Sequence, residues 1–199
     1  AVAGTMTIDR NLVIRTFAII FATTAIGGFI LRSTTFALPK IFDERLMDIA
    51  NSPTSIGTYS FLVFAFAAFA QLVVGYLVDR YSIRLIFAFL AAMQAVFFVV
   101  MVNLTGPLAL FISFGFMLMV FGQIPINDVL VGRITRSEWR SRAYALRYII
   151  TFTVAATAVP LIAWVHAEWS FDILFTVMAI GATGTFATVF FLPRAIADS

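Results

Sequence analysis

The sequence predicts an all-α membrane protein, a single bundle of six transmembrane helices over residues 1–199, and three observations predict it. Hydrophobic residues make up 62% of the chain and charged residues only 12%, against roughly half and a quarter in a soluble domain, and the mean hydropathy is +1.02. The apolar residues fall into six runs, each near the ~20 residues that cross a hydrocarbon core. The breaks between runs hold short polar, Gly or Pro turns, with no stretch that reads as an interdomain linker or low-complexity tract.

The first span is expected from about Asn11 through Gly27 and Gly28, continuing as a broken helix through Thr34, Pro39 and Phe42. The second begins after Asn51-Ser52-Pro53 and ends near Val78; Ser52 can cap it and Pro53 suits the first turn, where no N–H partner is needed. The third covers Leu85 to about Leu104 and ends at a tight Thr105-Gly106-Pro107 turn. The fourth runs from Leu108 to about Val131 and the fifth from about Tyr144 to Val165, with Pro160 bending it for gating or for packing. The sixth starts near Phe171, capped by Ser170 with Asp172 at the positive helix end, and stops at Pro193. Small residues recur within the spans, as at Ala65, Ala67, Ala68, Ala70, Ala155, Ala156, Ala158, Gly181 and Gly184, and small residues let helices approach closely in lipid.

A net charge of +3 raises the question of nucleic acid, but the basic residues sit in small clusters at the ends of apolar runs, which excludes a binding stripe. Of thirteen Lys and Arg, ten fall on one side in alternate connections: Arg10, Arg15, Arg80, Arg84, Arg133, Arg136, Arg140, Arg142, Arg147 and Arg194. Arg32, Lys40 and Arg45 fall on the other, beside Asp43, Glu44 and Asp48. The excess of positive charge places that side, with both termini, in the cytoplasm. A plasma membrane of bacterial, inner-membrane type is the expected location. There is no cysteine, hence no disulfide or thiolate metal site. No secretory signal with a cleavage site precedes the first run, so that run is expected to be a retained helix, and the missing Met at position 1 suggests a trimmed chain.

Two motifs carry a family resemblance. Between the second and third spans the chain reads Gly75-Tyr-Leu-Val-Asp79-Arg80-Tyr-Ser-Ile-Arg84. This resembles the Gly-x-x-x-Asp-Arg-x-Gly-Arg turn of the major facilitator superfamily, with Ser82 in place of the second glycine and Ile83 in place of a basic residue. Between the fourth and fifth spans, Gln123-Ile-Pro-Ile-Asn-Asp128, Gly132-Arg133, Trp139-Arg-Ser-Arg-Ala-Tyr144 and Arg147-Tyr148 resemble the region joining helices 10 and 11 of such carriers. The eroded turn is similar to the copy in the C-terminal half. The resemblance covers essentially the whole chain and implies helices 7 to 12, in two inverted three-helix repeats forming half of a twelve-helix bundle. It also implies a secondary carrier working by alternating access, with the lipid bilayer, an N-terminal six-helix half, a small solute and a coupling proton as partners, and no cofactor.

The same resemblance implies a cytoplasmic gate. Asp79 is expected to pair with Arg133 at the inner helix ends, or to accept backbone N–H groups of a neighbouring helix, with Gly75, Arg80, Arg84 and Arg142 around it and Arg80 and Arg84 turned to lipid phosphates. Candidate cavity residues are Thr24, Arg32, Thr35, Gln123 and Thr157. A charge at membrane depth costs at least ~2.5 kcal/mol and so faces an interior or water. Arg32 therefore either snorkels to the outer headgroups or, if the helix continues past the glycines, lines the path and favours an anionic solute. Gln123 faces either the cavity or a neighbouring helix, and Phe61, Phe64 and Phe69 read as lipid-facing bulk.

Three other readings compete. A membrane domain of an ATP-driven transporter also has six spans, but no Gly-x-x-x-x-Gly-Lys-Ser/Thr phosphate loop occurs and the turns are short. An intramembrane enzyme needs a nucleophile and base or metal ligands within the bundle; His166 is the only histidine, expected in an outer connection beside Glu168 and the interfacial Trp164 and Trp169. A non-transporting membrane scaffold is compatible with the composition.

Overall fold

A computed structural model describes the backbone over residues 10–134 and 140–191, and side chains over 17–132 and 140–191. Among these residues the chain forms α1 (Arg10–Arg45), α2 (Pro53–Val78), α3 (Ile83–Met101), α4 (Gly106–Ile134), α5 (Arg140–Glu168) and α6 (Phe171–Val189). All six are long and apolar enough to cross a membrane.

Local chemistry sets most of the ends. Ser52 caps α2 in a reciprocal box with Ser55, each side chain bonding the other's backbone N–H at 3.1 to 3.2 Å, with Pro53 in the first turn. The α3–α4 turn needs left-handed backbone at Asn103 (φ 58°) and Gly106 (φ 71°), residue types that tolerate it. Ser170 Oγ accepts from Asp172 N at 3.2 Å to cap α6.

The largest difference from expectation is α1. It runs unbroken for 36 residues through Gly27, Gly28 and Pro39. The glycines serve contact rather than a break: a Cβ on Gly27 would stand 3.7 Å from Gln123 Oε1, and one on Gly28 would stand 3.8 Å from Val154. The helices α4 and α5 also extend further than expected, so Arg140 and Arg142 lie within α5 instead of in a connection. His166 likewise lies in α5, and its Nε2 meets Glu44 Oε1 at 2.8 Å across the gap to α1.

Packing follows a symmetric plan. The most extensive helix pairs are α2 with α4 and α3 with α6; α3 also packs on α4, and α1 packs on α5, α4 and α6. Exchanging α1, α2, α3 for α4, α5, α6 maps these pairs onto one another, and helices three apart in an alternating bundle run in opposite directions. That is the pattern of two inverted repeats. Close approach is real at Gly122, where a Cβ would stand 3.1 Å from Val74, and at Gly181, 3.2 Å from Ile26. Gly184, expected to do the same, has nothing within 4 Å. The core divides into an end away from the termini, built on Phe98, Phe116 and Phe175, and a terminal end built on Ile20, Phe87 and Leu130.

Burial is uneven. In α2 and α5, 28% and 17% of the apolar window is buried, against 39% to 44% in the other four helices. Phe61 and Phe69 of α2 are exposed as expected, whereas Phe64 turns inward and packs against Phe121 at 6.4 Å between centroids.

Candidate functional site: a polar cavity between α1, α4 and α5

Within an otherwise apolar bundle, the polar residues on one side converge. A cavity of about 140 Å³ is lined by Thr24, Gly27, Gly28 and Leu31 of α1, by Val120, Gln123, Ile124 and Asn127 of α4, and by Arg147 and Thr151 of α5. The two glycines open it, since larger residues there would fill the space against Gln123 and Val154. On α4 the polar positions Gln123 and Asn127 are one turn apart and so share a face.

Gln123 is buried and donates from Nε2 to Gln94 Oε1 of α3 at 2.8 Å, so one residue bonds a neighbouring helix and lines the cavity. Asn127 Nδ2 donates to Gln123 O at 3.1 Å. Arg147 donates from Nη1 to Asp128 Oδ1, and Tyr144 Oη donates to the Asp128 carbonyl at 3.0 Å, tying α5 to α4. The Arg147 side chain is 12% exposed and lies seven residues from the start of α5, about 10 Å along the helix.

The donors and acceptors do not balance. Thr23, Thr34 and Ser113 return their hydroxyls to carbonyls four residues back, the usual resolution for a hydroxyl in an apolar helix. Thr24 Oγ1, Asn127 Oδ1 and Arg147 Nε have no partner, although Thr24 is 4% and Asn127 8% exposed. Ser33 Oγ is also unpartnered but does not line this cavity. A buried polar group left unpaired costs about 1–3 kcal/mol, so three among the residues lining one small cavity mark a place for water or a ligand.

The other expected cavity residues distribute differently. Thr24 and Gln123 line the cavity. Arg32 is half-buried one turn beyond Gly28, and Thr35 is half-buried one turn beyond Leu31; neither is among the lining residues. Thr157 is exposed on α5, its hydroxyl returned to Thr153 O and Val154 O at 3.1 Å. Asn127 and Arg147 were not singled out from sequence as cavity residues. The available signals were an Asn one turn after Gln123 and an arginine too far into an apolar run to be a headgroup anchor.

Of the expected gate, Gly75 faces open space and Asp79 is exposed at the end of α2. Arg80 stacks over the Tyr76 ring at 4.3 Å. Arg84 Nη2 donates to Phe190 O at 2.7 Å and caps the end of α6, with the guanidinium 5.3 Å from the Phe190 ring. Arg142 is exposed on the first turn of α5. The side chain of Arg133 lies outside the described residues, and the Asp79–Arg133 pair with it.

At the opposite end, Arg45 is 8% exposed, where the sequence placed it among loop charges. It donates to Met101 O, to Leu104 O at 3.1 Å and to Asp172 Oδ1 at 2.6 Å, with its guanidinium 5.1 Å from the Phe175 ring. Asp172 Oδ1 also accepts from Asn103 N at 2.7 Å.

Comparison with known proteins places this architecture. The chain superposes over 87% of its length on a mutant of the peptide transporter POT in complex with sulfate, with TM-score 0.77 and 14% identity, covering 37% of that chain. It superposes over 93% of its length on a bacterial homologue of the human lysosomal transporter Spinster in an inward-facing, unoccupied conformation, with TM-score 0.65 and 10% identity, covering 44% of that chain. It therefore spans less than half the length of either. No curated protein sequence matches it. The family description Major Facilitator Superfamily fits residues 10–198. With six spanning helices and symmetric pairing already in view, the chain belongs to the Major Facilitator Superfamily.

Proposed function

We propose that this chain is the C-terminal six-helix half of a secondary carrier that moves a small solute by alternating access, rather than an enzyme. The observation that carries the reading is the bareness of α2 and α5 beside a polar cavity. These two helices bury the least within the bundle, and the wall between α1, α4 and α5 holds groups that lipid cannot satisfy. A second six-helix bundle covering both helices would enclose that wall and leave a water-filled path at the midplane, where carriers place their sites.

In this reading the partner is an N-terminal half of the same carrier, and Thr24, Arg32, Thr35, Gln123 and Thr157 face the path between halves. Both termini lie in the cytoplasm, in a bacterial-type inner membrane. Gly75, Asp79, Arg80, Arg84, Arg133 and Arg142 form the inner gate, with Asp79 and Arg133 holding the halves together until they rock apart. A proton is the coupling ion, so a protonophore abolishes uptake; sensitivity to ATP depletion alone would favour an ATP-driven transporter.

This chain contributes no cysteine, so once any cysteines of the other half are replaced, an introduced one reports its own position. In the intact carrier, Thr157→Cys should react with a membrane-impermeant maleimide, and its reactivity should change when solute is added. Phe61→Cys, on the exposed aromatic face of α2, is the contrasting position. A Thr157→Cys that stays unreactive from both sides would remove the path from this face.

A further inference from the structure

We propose that Arg147 is the solute-recognising residue of the cavity, and that it recognises the carboxylate of a small hydroxy- or amino-acid. This rests on the carrier reading and names the solute class of the same site. It also replaces Arg32 as the residue that selects an anion, since Arg32 does not line the cavity.

The geometry of the guanidinium decides the chemistry. Arg147 engages Asp128 through Nη1, while Nε has no partner. In a planar guanidinium, Nε–H and one Nη2–H form a side edge distinct from Nη1, and that edge matches the two oxygens of a carboxylate. A solute carboxylate can thus bind side-on while Asp128 keeps its own contact. Asp128, half-exposed beside α5, holds the arginine in place between turnovers and prevents an unpaired charge from standing in the bundle.

Two more groups narrow the class. Thr24 lines the cavity, and its Oγ1 is buried and unpartnered. Unlike Thr23 and Thr34 it keeps its hydroxyl proton for an incoming oxygen. Asn127 donates its Nδ2 to Gln123 O, which leaves Oδ1 as an unfilled acceptor. An acceptor at that place calls for a hydrogen-bond donor on the solute, a hydroxyl or an ammonium near the carboxylate. Only one cation lines the cavity among the described residues, and Asp128 already offsets it in part. The arrangement therefore suits a single carboxylate better than a phosphate, which draws on several donors and cations. The cavity volume of about 140 Å³ on this wall suits a molecule of a few heavy atoms.

The test uses the intact carrier in detergent, with lactate, acetate, lactamide and inorganic phosphate as probes of its thermal midpoint and affinity. Lactate should bind; acetate, lacking the donor for Asn127, should bind more weakly; lactamide and phosphate should give no shift. Arg147→Lys keeps the charge but removes the side edge, and should weaken lactate at least about tenfold, about 1.4 kcal/mol. Asp128→Asn should retain or tighten lactate binding, because it removes a competing negative charge, and Asn127→Leu should make lactate and acetate equal. The proposal fails if no carboxylate binds, if lactamide or phosphate binds as well as lactate, or if Asp128→Asn loses as much affinity as Arg147→Lys, which would make the pair a structural tie only. Proteoliposomes separate this from the carrier reading. Lactate bound through Arg147 but never moved would sink the carrier and keep the site. A neutral solute moved equally well by the Arg147→Gln carrier would sink the site and keep the carrier.

Discussion

Arg45 and Arg147 are both withdrawn from solvent, at 8% and 12% side-chain exposure, and both pair with an aspartate on a different helix. Beyond that they differ. Arg45 spends its donors on two carbonyls and a carboxylate, and it joins the end of α1, the α3–α4 turn and the start of α6. Arg147 makes one contact to Asp128 and leaves Nε unpaired beside two other unpaired groups. Burial alone does not tell a staple from a binding group; the accounting of donors does. The helices differ as well: α3 and α6 are packed into the bundle, and α5 buries the smallest share of its length.

The comparison can be broken most severely at Arg45. Replacing it with Leu leaves the Met101 and Leu104 carbonyls and Asp172 without their donor, and should cost about 3 kcal/mol, the low end for breaking a buried pair because Asp172 keeps its bond from Asn103. Chemical or thermal unfolding in detergent reads this, and a loss near zero would make Arg45 ornamental.

At the other arginine the expected effect on stability is smaller. Asp128→Asn should cost about 1 kcal/mol or less, since the carboxylate is half-exposed and the Tyr144 bond goes to its carbonyl. A destabilisation equal to that of Arg45→Leu would erase the distinction between the two sites. The smallest effect is expected at the satisfied amide pair. A double-mutant cycle with Gln94→Leu and Gln123→Leu should return a coupling near 0.6 kcal/mol, the average for hydrogen bonds between membrane helices. A coupling of zero would mean that the 2.8 Å contact between them contributes nothing measurable.

Much of the architecture was legible because membrane helices advertise themselves. The Ser52-Pro53 start and the Ser170 cap follow from local backbone chemistry and lie where expected, while the α3–α4 turn falls at 102–105, just ahead of the expected Thr105-Gly106-Pro107, with Gly106 and Pro107 opening α4. The break at Gly27 and Gly28 was misread because glycine has two uses. In a soluble helix it softens the backbone; here it makes room for α4 and α5, and no residue near it in sequence reveals which use applies. The sequence counts Arg45 and Arg147 among the charges of the connections and His166 in an outer loop, because the partners that bury them stand on other helices.

Composition, run length and turn chemistry, all properties of residues near one another in the chain, determined that six helices cross a bilayer and roughly where each begins. Two motifs were enough to indicate the superfamily. Tertiary structure alone decided which arginine is spent and which is free to bind, because that depends on carbonyls and carboxylates brought from helices up to 127 positions away. It also decided that a threonine and an asparagine face the same small space as Arg147. A polar side chain in an apolar helix has to be satisfied somewhere, and only the packed bundle shows where that requirement is unmet.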